Sequence, residues 1–135
     1  MVNQSPEAWE ALLDSASEEV ATIARRAREV VRKAVPDAVE EVDTSARLLA
    51  FTFAPGTYKG IVTGLILHSQ HVNLQFGEGV ELAAHDPDGL LTGTGKKARH
   101  VKLRDPQAPE DPRVVRLVRA AATRRRDQLT TGTED

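Results

Sequence analysis

A glycine-rich run followed by bases is the stretch of this chain best suited to chemistry. Residues 93–96 read Gly-Thr-Gly-Lys, and further bases follow at once. Glycines leave backbone N–H groups free to point at an anion, and neighbouring bases supply compensating charge. We therefore predict a binding site for a small anion or an acidic partner. Its predicted residues here are Gly93, Gly95, Lys96, Arg99 and His100.

Two nucleotide-binding motifs resemble this run but fail on spacing or context. A P-loop needs a glycine where this chain has Leu90, and a Ser or Thr where it has Lys97. A dinucleotide-binding loop must open a helix, whereas residues 99–103 alternate as a strand does. The run therefore predicts a loop that needs left-handed backbone angles and precedes an edge strand.

A second loop supplies the other predicted ligand contacts. Tyr58 is the only tyrosine, and with Lys59 it follows the turn signal Pro55-Gly56 between two predicted strands. An aromatic side chain beside a lysine on a loop suits contact with a ligand. We predict that this loop meets the loop of residues 93–95. The alternative is that Tyr58 covers one end of the sheet.

No catalytic or metal constellation is predicted. His68 and His71 flank a predicted hairpin turn, but two histidines leave a metal site incomplete. Glu40 and Glu41 would point to opposite faces of a strand, which argues against a shared proton. The chain has no cysteine and hence no thiolate metal site or disulfide. We predict a binding module without a cofactor; an enzyme of unknown reaction that uses His100 or His68 is an alternative.

Length and composition fit one globular domain. The chain has 135 residues, of which 40% are hydrophobic and 28% charged, with a net charge of −2. No apolar run approaches the ~20 residues of a membrane helix, and the N-terminus lacks the pattern of a signal peptide. We expect a cytoplasmic protein without membrane contact, with a domain at residues 1–126 and a disordered tail at 127–135. The sequence is also compatible with a homodimer of this chain.

Charge is arranged in blocks along the chain. Residues 20–36 carry five bases against one acid, and residues 113–126 carry six arginines and no acid. If both segments are helices on one sheet face, their bases lie side by side. Nucleic acid is not the favoured partner, because no aromatic residue is interleaved for base stacking. The bases predicted to adjoin are Arg25, Arg28, Arg32 and Lys33 on one helix and Arg113, Arg116 and Arg119 on the other.

Helical patterns at both ends bracket a series of strand patterns. Ser5-Pro6 and Asp111-Pro112 each place a capping side chain before a proline, as is typical of a helix start. A long helix is predicted to begin at Ser15 or Ser17 and to stop before Pro36. Strands are predicted at residues 49–53, 61–68, 72–76 and 99–103, with weaker candidates at 39–42 and 80–82.

These elements predict an α+β two-layer sandwich. Short links between strands favour antiparallel pairing, and two helices with apolar stripes favour packing on one side. We expect an antiparallel sheet of five to six short strands, with the N- and C-terminal helices on one face. If the last helix continued, Arg125 would turn onto its apolar side, so we expect helical order to fade there. The residues predicted to pack on the sheet are Val20, Ile23, Ala27, Val30, Val31, Val114, Leu117, Val118 and Ala121.

Three motifs resemble the YdhG-like domain family of unknown function, whose fold group includes frataxin-like proteins. They are residues 36–41 (PDAVEE), 68–74 (HSQHVNL) and 86–101, which include DPDGLL, GTGK and RHV. The resemblance spans about residues 30–119 and implies a frataxin-like sheet flanked by two helices. It also implies an alternative function as an iron or metal chaperone. The acids that would serve it are Asp37, Glu40, Glu41 and Asp43, although the first long helix carries arginines where frataxin-like proteins carry an acidic ridge.

Overall fold

A six-stranded antiparallel sheet and three α-helices form the computed structural model, which describes residues 2–131. The strands are β1 (Val2–Asn3), β2 (Val39–Asp43), β3 (Leu48–Thr52), β4 (Ile61–Leu67), β5 (Val72–Phe76) and β6 (Arg99–Leu103). The helices are α1 (Pro6–Asp14), α2 (Glu18–Ala34) and α3 (Pro112–Thr131), and short 3₁₀ helices span Gly79–His85 and Ala108–Glu110.

The strands lie in the sheet in chain order, and each pairs antiparallel with the next. Helices α2 and α3 both pack against β4, the third-last strand, and against each other. The predicted α+β architecture, with an antiparallel sheet and helices at both ends of the chain, is confirmed. No helix within residues 2–131 combines the length and the apolar character needed to cross a membrane.

Side-chain caps set the helix starts as predicted. The Oγ atom of Ser5 accepts a hydrogen bond from the N–H of Ala8, and that of Ser17 accepts one from Val20. The Oδ1 atom of Asp111 accepts the N–H of Arg113 at 2.9 Å. These bonds satisfy N–H groups that the first turn of a helix leaves without partners.

One hydrophobic core lies between the helices and the sheet. The strand register places Leu49, Leu65, Leu74 and Val101 in one row on the helix side, all buried. Alternate residues of these strands point to the opposite side, which we call the outer face. The residues predicted to pack on the sheet are buried, except Val30, which is half-buried at the edge of the core.

The weak strand predicted at residues 80–82 is wrong, because the segment is part of the 3₁₀ helix Gly79–His85. The position beside β5 is taken by β6, so the N–H of Val80 donates instead to the carbonyl of Lys97 at 2.9 Å. Glycine at 79 permits this approach, since a side chain there would collide with the Cβ of Arg99.

Helix α3 does not fade at Arg125 but runs through Thr131, past the predicted boundary at residue 126. Arg125 does turn toward the sheet, and it finds partners there. Its Nε donates to the carbonyl of Ile61 at 2.7 Å, and its Nη1 donates to Oε1 of Glu78 at 3.2 Å. A charged side chain is accommodated at the edge of the core because its donors are satisfied. Of the predicted tail, residues 132–135 lie outside the described residues.

Candidate functional site

The glycine loop, residues 93–98, is closed by its own arginine. Gly93 has φ 135°, which is the left-handed geometry expected of this loop. Nη1 of Arg99 donates to the carbonyls of Gly95 at 2.6 Å and Ala98 at 2.7 Å. The guanidinium is therefore engaged by the loop itself. Lys96 and Lys97 are the exposed cations of the loop.

His100 lies on the outer face of β6, beside a short extension of the sheet. Its backbone exchanges two hydrogen bonds with Thr92, at 2.8 and 2.9 Å, and its Nε2 lies 3.2 Å from Oγ1 of Thr92. Burial, and then the positive charges of Lys102 and His68, lower the pKa of His100. The lowered pKa favours the uncharged imidazole, so His100 contributes less charge to an anion site there than an ordinary histidine would.

The tyrosine loop, residues 53–60, is held by hydrogen bonds, and its tyrosine is exposed to solvent. The N–H of Gly56 donates to Oε2 of the buried Glu41 at 2.8 Å, and the N–H of Phe53 donates to the carbonyl of Gly60 at 2.9 Å. Tyr58 is 81% exposed, so the alternative in which it covers an end of the sheet is wrong. Lys59 beside it is also exposed.

The glycine and tyrosine loops lie at the same end of the sheet but on different strands. The tyrosine loop joins β3 to β4, and the glycine loop leads into β6, about 10 Å from β4 by the spacing of strands. Within residues 2–131 no hydrogen bond joins the two loops. That these loops share one ligand stays a prediction.

Each acid of β2 binds its own partners in the chain. Glu40 forms an ion pair with Arg28 on the helix side, at 2.8 Å, whereas Glu41 lies on the outer face, as their opposite orientation predicted. Oδ1 of Asp43 accepts hydrogen bonds from Ser45 and Ala46. No three His, Cys, Asp or Glu side chains in the described part of the chain are grouped so as to hold a metal ion.

The histidines of the β4–β5 hairpin lie side by side, as predicted. The rings of His68 and His71 stack with their centroids 4.6 Å apart. Nε2 of His68 lies 3.2 Å from the amide nitrogen of Asn73. The two rings lie at the hairpin turn, and no third metal ligand joins them within residues 2–131.

The predicted basic surface is divided by ion pairs. The guanidinium of Arg28 binds Glu40 and lies 5.3 Å from the ring centre of Trp9, away from α3. Arg32 also turns toward Glu40. Nη2 of Arg113 binds Asp111 at 2.7 Å, which lowers the pKa of that carboxyl to about 2. These three bases therefore have acidic partners already.

Three of the remaining predicted bases line an open groove of about 600 Å³ between α2, α3 and the 3₁₀ helix Ala108–Glu110, and Arg116 does not. We call it the basic groove. The groove residues that belong to α2 are three or four positions apart in the sequence, and residues at these spacings lie on one side of a helix. Its basic residues are Arg25, Arg26, Lys33 and Arg119. Its apolar residues are Val30, Ala34 and Val115, and its acids are Glu29 and Glu110.

None of the four bases of the groove forms an ion pair within residues 2–131. The structure thus brings Arg25, Lys33 and Arg119 together, as the charge blocks predicted. Arg26 was not predicted from the sequence as part of this surface. Arg26 and Val30 are four positions apart, and residues at this spacing lie on the same side of a helix, so the spacing could have indicated it. The groove is therefore the strongest candidate for a binding site.

Compared with protein-family models, curated proteins and solved structures, the chain matches none of them. The YdhG-like resemblance and the frataxin-like character of the fold therefore stay predictions. A function has to be inferred from the geometry of the described residues.

Proposed function

We propose that this protein is a binding module that holds an acidic, amphipathic segment of a partner protein in the basic groove. One observation carries the proposal: four bases without ion-pair partners surround an apolar floor. Of the other arginines on α2 and α3, all except Arg116 are paired with acids within residues 2–131. On these two helices, most of the positive charge left for a partner thus lies in the basic groove.

The electrostatics favour carboxylates as ligands. Three of the four bases are arginines, whose planar guanidinium groups bind carboxylates through two parallel hydrogen bonds. Glu29 and Glu110 offset part of the charge, and Glu29 lies 3.7 Å from Arg32 outside the groove. The surplus of bases would steer an acidic partner toward the groove and orient it there.

The floor of the groove favours a helix over an extended chain. Val30 and Ala34 are one turn apart on α2, and Val115 faces them from α3. An amphipathic helix presents apolar side chains at the same spacing and can lay them into such a floor. From Arg25 to Lys33 the groove follows α2 for about 12 Å, or about two turns of a partner helix.

Other ligands fit the groove less well. No aromatic side chain lines it, so it offers nothing for nucleic-acid bases to stack upon. A single small anion would leave most of the 600 Å³ unfilled and would gain nothing from the apolar floor. The combination of bases with aliphatic side chains matches a protein surface instead.

A designed helical peptide tests the proposal. We expect a fluorescent peptide of about 14 residues, with leucines on one side and glutamates on the other, to bind the protein with a Kd of about 10–100 µM. Arg119→Glu should weaken binding about tenfold, because it reverses a charge that faces the peptide. Arg116→Glu is the matched control, since Arg116 is exposed on the same helix and does not line the groove. Fluorescence anisotropy at low salt measures both.

Two comparison ligands decide between partners. A peptide of the same composition in scrambled order should bind more weakly, because its leucines no longer form one side. If the Arg116 and Arg119 substitutions weaken peptide binding equally, binding depends only on the net charge of the protein, and the proposal is wrong. Binding of a 16-base-pair DNA duplex that is tighter than that of the helical peptide would also contradict it.

A small anion at the glycine loop is the second candidate, favoured by the exposed, unpaired Lys96 and Lys97 beside the left-handed Gly93. Arg99 holds the loop closed and is best left intact in a test. We expect inorganic phosphate to raise the Tm of the protein, and replacement of Lys96 and Lys97 by alanine to abolish that rise. A rise that survives the double substitution would exclude this loop as the site.

A further inference from the structure

The outer face of the sheet carries an acid on β2, the strand next to the β1 edge, and bases on β6 at the other side. One row of paired residues crosses it from β2 to β6: Asp43, Leu48, Ile66, Asn73 and Lys102. The acid lies on β2, the base lies on β6, and two aliphatic side chains lie between them. The three helices bury their apolar sides in the core on the other side of the sheet. Among the described elements, no helix covers this row.

The centre of the outer face is flat. Gly64 on β4 has no side chain, and Leu48 lies across it so closely that a Cβ at 64 would come within 2.7 Å of its Cδ1. Leu48 and Ile66 remain partly exposed beside this glycine. A flat, partly aliphatic sheet face is the kind of surface that packs on another sheet, at a spacing of about 10 Å.

More bases gather at the β6 edge. Arg104 directly follows Lys102 and Leu103 in the sequence. Burial lowers the pKa of His71, which precedes β5, and the charges of Lys102 and Arg104 add to this effect. On β2, Glu41 is buried under the tyrosine loop, so Asp43 is the accessible acid of that strand. The polarity of the face, acid on β2 and base on β6, is therefore the polarity of its accessible charges.

We infer that a second copy of this chain packs on the outer face, with the two-fold axis parallel to the strands. This axis reverses the order of the strands, so that β2 of one copy lies over β6 of the other. Asp43 of each copy then faces Lys102 of the other, and Ile66 lies near the axis. A two-fold axis across the strands would instead place Asp43 on Asp43 and Lys102 on Lys102. The charges thus select one arrangement.

The size of the face indicates a weak dimer. Five strands at about 4.8 Å spacing and about 17 Å length present about 400 Å² per copy. The total of about 800 Å² is below that of stable specific interfaces and is in the range of weak, transient ones, so we expect a Kd of about 10 µM. The basic groove lies on the helix side and does not contribute.

Charge reversal tests the arrangement. Sedimentation velocity of the full chain from about 1 to 300 µM should show a monomer–dimer equilibrium. Lys102→Glu should weaken it at least tenfold, because the new carboxylate meets Asp43 of the other copy. Asp43→Lys should weaken it similarly, and the double variant should restore the dimer.

Asp43 also accepts hydrogen bonds from Ser45 and Ala46, so its replacement affects the turn as well. Asp43→Asn keeps an acceptor for these hydrogen bonds and removes the charge. It should weaken the dimer and, because these bonds hold the pKa of Asp43 below its ordinary value, lower the Tm of the monomer only slightly. Arg116→Glu, on the helix side, should leave the dimer intact. A wild-type protein that is monomeric at about 300 µM would overturn the inference, as would a double variant that stays monomeric.

Discussion

Replacing Leu117 with alanine should lower the free energy of unfolding by about 2–5 kcal/mol. Leu117 is fully buried (0% exposed) on the side of α3 that faces the sheet and α2. Its removal leaves a cavity whose walls cannot all close, so the loss of packing adds to the lost transfer of the side chain from water. Unfolding in urea followed by circular dichroism measures the change.

Leu129→Ala is the matched control, since it is the same substitution on the same helix at a residue that is 40% exposed. It should cost less than about 0.5 kcal/mol. If the two substitutions cost the same, α3 does not bury the side that the structure shows.

Replacing Glu78 with alanine should lower the free energy of unfolding by about 2–3 kcal/mol. Oε1 of Glu78 accepts hydrogen bonds from Arg124 and Gln128, each at 3.0 Å, and from Arg125 at 3.2 Å. The side chain of Arg125 is only 14% exposed, so removal of Glu78 leaves its charge without a counter-charge near the core. The same melts in urea measure the cost.

Asp37→Ala is the control for this ion-pair network. Asp37 binds Arg126 at 2.7 Å, but both side chains are about half exposed. Exposed pairs contribute less than about 1 kcal/mol. A cost for Glu78→Ala no greater than that for Asp37→Ala would show that the network does not anchor α3.

Acid should remove the contribution of Glu78. Burial raises the pKa of Glu78, whereas the hydrogen bonds from Gln128 and Arg124 and the charge of Arg125 lower it. Together these interactions outweigh burial, so the folded-state pKa lies below the ordinary value of 4.5. A carboxyl group of this kind stabilises the fold fully above its ordinary pKa, and the contribution is lost as the pH falls through the folded-state value. The difference between wild type and Glu78→Ala should therefore shrink below pH 4.5. A constant difference would exclude the ionised form as the stabilising one.

The proposed groove and dimer surfaces lie on opposite sides of the sheet. Val30 and Val115 belong to the helix layer, whereas Ile66 and Lys102 belong to the outer face. Occupation of one surface leaves the other accessible. Arg116→Glu serves as the control for both because it belongs to neither.

The sequence by itself determined the local elements. Ser5, Ser17 and Asp111 cap their helices in the structure, and the hairpin of β4 and β5 turns at residues 68–71, as predicted. These features depend on side chains within three or four positions of the backbone groups that they satisfy. The α+β class could also be predicted from the sequence. Apolar residues recur at helical spacing in some segments and at every second position in others, and the two kinds of apolar surface have to be buried against each other.

Only the tertiary structure decided which charges are free. Arg28 and Arg25 look alike in the sequence, yet Arg28 pairs with Glu40, twelve positions away, and Arg25 lines the groove. Arg125 was expected to end α3, but Ile61 and Glu78, 64 and 47 positions away, satisfy it. Arg99 was expected to be free for a ligand, and the carbonyls of its own loop engage it. The partners of long, flexible, charged side chains depend on distances that periodicity does not encode, and these partners determine where this protein can bind.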